Sequence, residues 1–376
     1  MKRVLVAPMD WGLGHATRCI PIIRELIKRN CAVYLAGNGD SSTLLRNEFP
    51  KLPFFSLPGY QPVYPAAGSM IWKMAVQLPK FMRVIRKEHR EIESIIRLHQ
   101  IDLVIADNRF GCWSSLIPAV FITHQRSVLL PPGFNWLKPW VNRLNSSLIC
   151  RFSCCWIPDL PEPMSLAGKL GLASTKQRTY PTRFIGYLSR FDTPVPKAVR
   201  YDIVCILSGP EPQRSIFEKM IAAQLRQSGL RYFLVRGLIV SSPATQAHAD
   251  SHCADFLSGD ELQKLIEQSV CILARSGYST VMDLSKLGKK AILVPTPGQT
   301  EQEYLAARMM EKKIAFAVDQ RRFDLMAAWN DLKNYTGFEL PADHSSFLMD
   351  ALDEALSGLP SRTVVPETMV PDNTFI

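Results

Sequence analysis

The sequence predicts an α/β protein made of two doubly wound parallel sheets in series. Short apolar, β-branched runs alternate with helix-period segments along nearly the whole chain, the pattern of strands buried on both faces with helices returning between them. The chain's 376 residues exceed what one hydrophobic core ordinarily organises. The alternation is also interrupted near the middle, in "RFIGYLSRFDTPVPKAVRYD", where Pro194 and Pro196 break the pattern just ahead of a new strand. The expected domains are residues 1–190 and 191–357, with 358–376 as a tail.

Taken in order, the first-half strands are "RVLVAPM", "AVYLAGN", "IDLVIADN" and "AVFITHQ". Those of the second half are "YDIVCILSG", "RYFLVRGL", "CILARSG", "KAILVPTP" and "IAFAVDQ". The amphipathic segment "CIPIIRELIKRN" follows the first strand, while "EPQRSIFEKMIAAQLRQSG" and "TVMDLSKLG" are helices closed by Gly229 and Gly288, glycine being the residue that best adopts the left-handed turn after a helix. Residues 68–100 break the rhythm with a basic helical stretch that mixes Met70, Ile71, Trp72, Met74 and Phe81 with Lys73, Lys80, Arg83, Arg86 and Lys87. A second such stretch, "FNWLKPWVNRLNSSLICRF", carries Trp136, Lys138, Trp140 and Arg143. Packing of one face on a sheet is the preferred reading of both, and contact with an anionic membrane is the other.

Composition excludes disorder, with 47% hydrophobic and 21% charged residues. The net charge of +10 is unevenly spread: residues 1–190 hold 25 Lys+Arg against 11 Asp+Glu, and residues 191–376 hold 19 against 23. Such asymmetry suits a positive face meeting phospholipid or polyphosphate better than a coat for nucleic acid, with scattered solvated charge as the plain alternative. Nine cysteines, an odd number with no Cys-x-x-Cys, lie mostly in apolar runs, the usage of a reducing compartment. The opening "MKRVLVAPMD" has an apolar run too short for a signal peptide, and no stretch of about eighteen apolar residues exists. The expected location is the cytoplasm, with peripheral attachment to the inner face of the cell membrane as an option.

The segment "MDWGLGHATR", residues 9–18, links the first strand to the first helix. Gly12-Leu13-Gly14 resembles the start of a dinucleotide fingerprint, yet Thr17 replaces its third glycine and the second strand ends in "LAGNGD" without the acidic residue that would take a ribose. That disfavours an oxidoreductase. What remains is a turn whose glycines admit close approach, with His15 in the first helical turn at the carboxyl edge of a strand, where open α/β sheets bind ligands. A neutral imidazole there is a natural general base, and a histidine that caps the helix is the alternative. Asp107 and Arg109 in "VIADNRFG" and His124 in "FITHQRS" also end strands of this half. Asp107 either serves as the base, orients it, or closes a turn.

In the second half, "LARSGYSTVMDLSKLG" runs from a strand through Arg275-Ser276-Gly277 into a helix, so free backbone N–H groups, hydroxyls and a guanidinium gather as a diphosphate site would need. Asp283 on that helix is placed to accept ribose hydroxyls or to sit solvated. In "VPTPGQTEQEYLAARM", Gln299, Thr300, Glu301, Gln302 and Glu303 crowd a helix start, a set that suits a hydroxyl-rich ligand. Thr300 and Glu303 also have capping-box spacing. His248, His252 and Cys253 in "HADSHC" mimic metal spacing but lie in a polar loop with no fourth ligand, so no zinc site is expected.

Three motifs in order, "GLGHATR", "RSGYSTVMDL" and "PTPGQTEQEYLA", resemble those of the MurG-like glycosyltransferases of family 28, across roughly residues 1–320. The resemblance implies the GT-B fold, two Rossmann-like domains facing a cleft, with the acceptor held by the first and the nucleotide-sugar donor by the second. It implies that His15 is the base, that Arg275, Ser276 and Gly277 form the donor-diphosphate turn, and that Asp283 replaces a glutamate at the ribose. Ser208 and Gly209 in "LSGPEPQR" take the place of a Gly-Gly-Ser phosphate loop. Gln302 matches the first of a glutamine pair at the donor sugar, with Gln299, Glu301 and Glu303 beside it. Glu303 for the second glutamine and Ala306 for an asparagine imply a donor sugar other than N-acetylglucosamine. Gly12, Gly14, Asp107, Arg109 and His124 fall on the acceptor side.

The implied reaction moves a hexose or N-acetylhexosamine from a UDP-sugar to a hydroxyl of a glycan, a lipid-linked acceptor or a small molecule, with inversion. No cofactor is expected, and with no Asp-x-Asp triplet in the chain, no metal. The implied partners are a nucleotide-sugar donor, that acceptor and an anionic membrane surface, and no nucleic acid. A nucleotide-sugar 2-epimerase on the same fold and a non-catalytic nucleotide-sugar-binding module at the membrane surface are the alternatives.

Overall fold

The computed structural model describes residues 1–10, 12–61, 70–130, 133–172, 180–238, 252–339 and 345–358, the side chains of 70–76 excepted. Trp11, His248, residues 359–376 of the expected tail 358–376 and the side chains of Met70, Ile71, Trp72, Lys73 and Met74 lie outside the described residues.

The first sheet contains β1 (Arg3–Pro8), β2 (Ala32–Gly37), β3 (Phe54–Ser56), β4 (Leu103–Asp107), β5 (Ala119–Ile122), β6 (Cys154–Ile157) and β7 (Thr182–Phe184), in the order β3-β2-β1-β4-β5-β6-β7. Every pairing is parallel. Both faces are covered, which is why the strands read as continuous apolar runs. Val4 and Val6 pack with α1 (Leu13–Lys28), whereas Leu5 and Ala7 turn to the opposite core beside Ile92 and Ile96 of α3 (Met70–His99). Along α3, Ile85, Glu88, Ile92 and Ile96 are buried, so core packing accounts for that part of the basic stretch.

The second sheet repeats the plan with β8 (Tyr201–Ile206), β9 (Tyr232–Val235), β10 (Cys253–Ala254), β11 (Ser269–Ala274), β12 (Lys290–Leu293) and β13 (Phe316–Ala317), ordered β10-β9-β8-β11-β12-β13 and again parallel. Its helices are α5 (Gln213–Gln227), α6 (Gly259–Glu267), α7 (Tyr278–Leu287), α8 (Thr300–Glu311) and α9 (Leu325–Asp331). The first domain adds α2 (Gly39–Glu48) and α4 (Lys138–Ile149). Gly288 caps α7 in the left-handed conformation, at φ 61°.

In each sheet the strand order reverses beside the first strand, between β1 and β4 and between β8 and β11. That is where doubly wound sheets open a crevice at the strands' carboxyl ends. The two domains share an apolar cluster in which Leu166, Leu170 and Leu188 meet Tyr278 and Leu305. The last helix among the described residues, α10 (Ser345–Gly358), lies against α1 and β7 of the first domain. Arg29 Nε donates to Asp353 at 3.1 Å, and Arg183 pairs with Glu354 at 2.7 Å.

Candidate active site

The crevice of the first sheet is built by the β1–α1 turn and the end of β4. Gly12 enters α1 with φ +86°, a conformation that favours glycine, and its carbonyl accepts the Ser41 hydroxyl at 3.0 Å. His15 follows in the first turn of the helix, and Arg18 lies three residues on, hence on the same face. Asp107 ends β4 directly beside Pro8 of β1. His15 Nδ1 lies 2.8 Å from Asp107 Oδ1 and 2.7 Å from Arg18 Nη2. Arg18 Nε and Nη2 both donate to the Asp107 carboxylate, a bidentate pair. Asp107 is wholly buried, yet against that burial the Arg18 and His15 neighbours hold its pKa down at about 2. Burial, then the Arg18 charge, depress the pKa of His15 below 6.5, with Asp107 opposing. Its side chain is 19% exposed while Nδ1 is taken up inward, which leaves the Nε2 edge to the cleft. Asp107 has no exposed surface with which to meet a substrate. Its geometry orients the imidazole.

The chain of contacts crosses the cleft. His124, just beyond β5, has Nδ1 3.3 Å from Arg18 Nη1 and Nε2 2.9 Å from Oε1 of Glu301 on α8. Its ring stacks on Tyr278 of α7 with centroids 4.1 Å apart and planes 7° apart. Ser279 donates to the Gly14 carbonyl at 2.9 Å, and a Cβ on Gly14 would lie 2.7 Å from Ser279 Oγ and 3.2 Å from its Cβ. The second glycine of the turn is therefore required by the helix of the other domain.

On the second-domain wall, Gly277 is the N-cap of α7 with no side-chain cap, leaving the first amides of the helix unused by side chains. Ser276 donates to the Gln302 carbonyl at 2.7 Å. Arg275 is 1% exposed: Nη1 donates to the carbonyls of Val294 and Pro295 and Nη2 to that of Gln213, each at 3.1 Å, and the guanidinium lies 4.1 Å from the centroid of Phe217. Burial brings its pKa down to about 10. Arg275 Nε and Thr296 Oγ1 are buried without a partner. Gln302 Oε1 accepts from Thr296 N and Nε2 donates to Gln299 Oε1, fixing the loop before α8. Thr300 and Glu303 do not form the expected capping box: Thr300 is inside the helix and its hydroxyl reaches the Leu129 carbonyl, while Glu303 accepts from Gly298 N. Ser208 and Gly209 follow β8, with Gly209 at φ +103° and Thr296 Oγ1 3.6 Å from where its Cβ would stand.

Residues 233–335 match the model of the glycosyltransferase family 28 C-terminal domain. The curated relatives include an uncharacterized glycosyltransferase of Methanosarcina mazei, 22% identical over 329 residues, covering 82% of this chain and 84% of that protein. Among solved structures, Acinetobacter baumannii MurG is 15% identical with a TM-score of 0.55, covering 95% of this chain and 100% of that one. The protein is a glycosyltransferase of the GT-B fold. CalG4, the calicheamicin glycosyltransferase, superposes with a TM-score of 0.60 at 12% identity, covering 97% and 100% of the two chains. Phytolacca americana UGT2, solved with UDP-2fluoro-glucose and pterostilbene, gives 0.53 at 13% identity, covering 95% and 94%.

Two sequence-predicted residues of the glycosyltransferase stand elsewhere than expected. Arg109 is fully buried away from the acceptor wall: Nε donates to the Pro8 carbonyl at 2.7 Å and Nη1 to Glu88 at 2.5 Å, because α3 places a wholly buried carboxylate there that also accepts from Tyr60 and Gly111. Asp283 faces the interdomain connection, where it accepts the Ser189 hydroxyl at 2.6 Å with Arg190 3.8 Å away, and burial raises its pKa to about 6. A ribose at Asp283 would have to displace Ser189. Arg18, Tyr278 and Ser279 are site residues that the sequence reading passed over. The i, i+3 spacing of His15 and Arg18 was the one available signal.

Proposed function

We propose that this glycosyltransferase moves a hexose or N-acetylhexosamine from a UDP-sugar to a hydroxyl of a glycan, a lipid-linked acceptor or a small molecule, with inversion and without a metal. The observation that carries the reading is the His15–Asp107 pair at the mouth of the crevice, with the imidazole held below its ordinary pKa. In the tautomer that serves Asp107 the proton sits on Nδ1, so Nε2 has a free lone pair towards the cleft. Nε2 takes the acceptor hydroxyl's proton as that oxygen bonds to the anomeric carbon, and the bond from that carbon to the diphosphate breaks on the opposite face, its electron pair leaving with the nucleotide. Charge developing on the departing diphosphate is met by the amide end of α7, whose N-cap Gly277 brings no side-chain cap. Arg275 would hold the two loops around the phosphates through its bonds to Gln213, Val294 and Pro295. The UDP carrier is favoured by the motif likeness and by the uridine nucleotide sugar bound to UGT2.

A thermal-shift screen tests the donor assignment, since a ligand bound only by the folded state raises its melting temperature with the logarithm of saturation. UDP-hexoses or UDP-N-acetylhexosamines should raise it without added metal. No shift with any nucleotide sugar would refute the assignment.

The same reading includes peripheral binding to the cytoplasmic face of an anionic membrane. Trp136 in the turn before α4 is 70% exposed, and Trp140 and Leu144 on α4 are 72% and 39% exposed, one helical repeat apart and next to Arg143. Among the described residues no helix is long and apolar enough to cross a membrane. Sedimentation with phosphatidylglycerol vesicles at low salt should be strong and should fall at high salt and in a Trp136→Ala, Trp140→Ala variant. Equal sedimentation of wild type and variant would remove this part of the proposal.

A further inference from the structure

The chain of contacts from His15 does not end within the first domain. It ends on Glu301, on the first turn of α8 in the second. We infer that Glu301 is a positioning residue for the base: by holding His124 it fixes Arg18 and supplies the second negative charge of the site, so that the acid–base centre is complete only with both domains together. This rests on the reading of His15 as base.

Geometry assigns the hydrogens. The His124 ring is clamped by its stack on Tyr278, whose hydroxyl is itself tied to the Pro158 carbonyl at 2.8 Å. In that orientation Nδ1 faces only the guanidinium of Arg18, a donor, so Nδ1 accepts and Nε2–H donates to Glu301. Arg18 is thereby held at three of its edges, by Asp107 through Nε and Nη2 and by His124 through Nη1. Its charge lies between two carboxylates, Asp107 and Glu301, and the group carries one net negative charge. The proton that reaches His15 during transfer cancels it, and the imidazolium forms in a neutral cluster. Without Glu301 the Arg18 charge would be offset once only, and His15 would bind its proton less well.

The groups that face His15 are Arg18 from α1, Asp107 from β4, His124 from β5 and Glu301 from α8. Cys19 lies behind Asp107 as a thiol that burial keeps protonated, and α7 contributes Tyr278 and the Ser279 hydroxyl. Domain contact does not depend on Glu301, because neutral bonds from Ser279 to Gly14, Thr300 to Leu129, Tyr278 to Pro158 and Lys169 to Tyr304 also cross the interface. Glu301→Gln keeps an acceptor for His124 and removes only the charge.

The test is the proton titration of His15 followed by NMR on ring-labelled histidine, with its signal assigned by loss in His15→Gln. Glu301→Gln should move the His15 titration to lower pH by about half a unit. In a His124→Ala background, where the carboxylate loses its tether, the same substitution should move it much less. An unmoved titration in Glu301→Gln, or an equal shift in both backgrounds, overturns the inference. Release of UDP from a UDP-sugar that persists in His15→Ala overturns the base reading and the inference together. An inactive His15→Ala beside an unmoved titration overturns the inference alone.

Discussion

His15 is surrounded by Arg18 from its own helix and by Asp107, His124 and Glu301 from distant parts of the chain. Asp107 is fully buried and bonded to both Arg18 and His15, so replacing it with Asn strips the buried Arg18 guanidinium of its bidentate carboxylate and leaves only Glu301, beyond His124, to offset its charge. The expected loss is about 3–5 kcal/mol in urea unfolding, together with a collapse of transfer as the imidazole loses its orienting partner. Acid acts on the same pair in one direction. With its folded pKa held at about 2, Asp107 contributes stability above its ordinary 3.8 that is lost as pH falls through 2. His15, lowered from 6.5, makes folding less favourable below that value because the unfolded chain takes up the proton first. The acid limb of the kcat/KM profile should accordingly lie below pH 6.5, and a limb above it would contradict a base held neutral by burial and Arg18. His15, Asp107, His124 and Glu301 were each legible in the sequence as strand-end or helix-start residues. Their pairing was not, since His15 and Asp107 stand 92 residues apart and His124 and Glu301 177. Arg109 shows the limit of the same logic, because a buried Glu88 on α3 drew a strand-end arginine inward.

At the scale of elements, α1 and α7 meet across the cleft at Gly14 and Ser279. Gly14→Ala sets a methyl group 2.7 Å from Ser279 Oγ and 3.2 Å from Ser279 Cβ, so one helix must move. A loss of about 1–3 kcal/mol is expected, with partial recovery on adding Ser279→Gly. Additive losses in the double variant, measured by chemical denaturation, would show that the contact is not what requires the glycine. The nine strands read from apolar runs are all present, because strands buried on both faces leave a plain signal. The unread ones, β3, β7 and β10, span two or three residues at or beside sheet edges, and β6 is the four-residue Cys154–Ile157, too short for any periodicity.

For the whole molecule, the two sheets repeat one strand order and face each other through their strands' carboxyl ends, so each domain supplies one wall and neither holds the full set of groups. α10 packs on the first domain, against α1 and β7. Ala351, Leu352 and Ala355 of α10 are buried in the core that includes α1, a placement that sequence order does not suggest because the helix follows the elements of the second domain. Ending the chain after residue 344 should expose that face and cost at least about 2 kcal/mol, seen as a lower calorimetric midpoint for the first domain. An unchanged midpoint would mean that α10 adds nothing to the first domain's stability. The central claim is that an imidazole on one wall accepts the proton of a hydroxyl while the other wall holds a nucleotide sugar. It is tested most directly by measuring sugar transfer and donor affinity side by side in His15→Ala. The account predicts transfer lowered by about 10²–10⁴-fold with donor affinity unchanged, and transfer at the wild-type rate would contradict it.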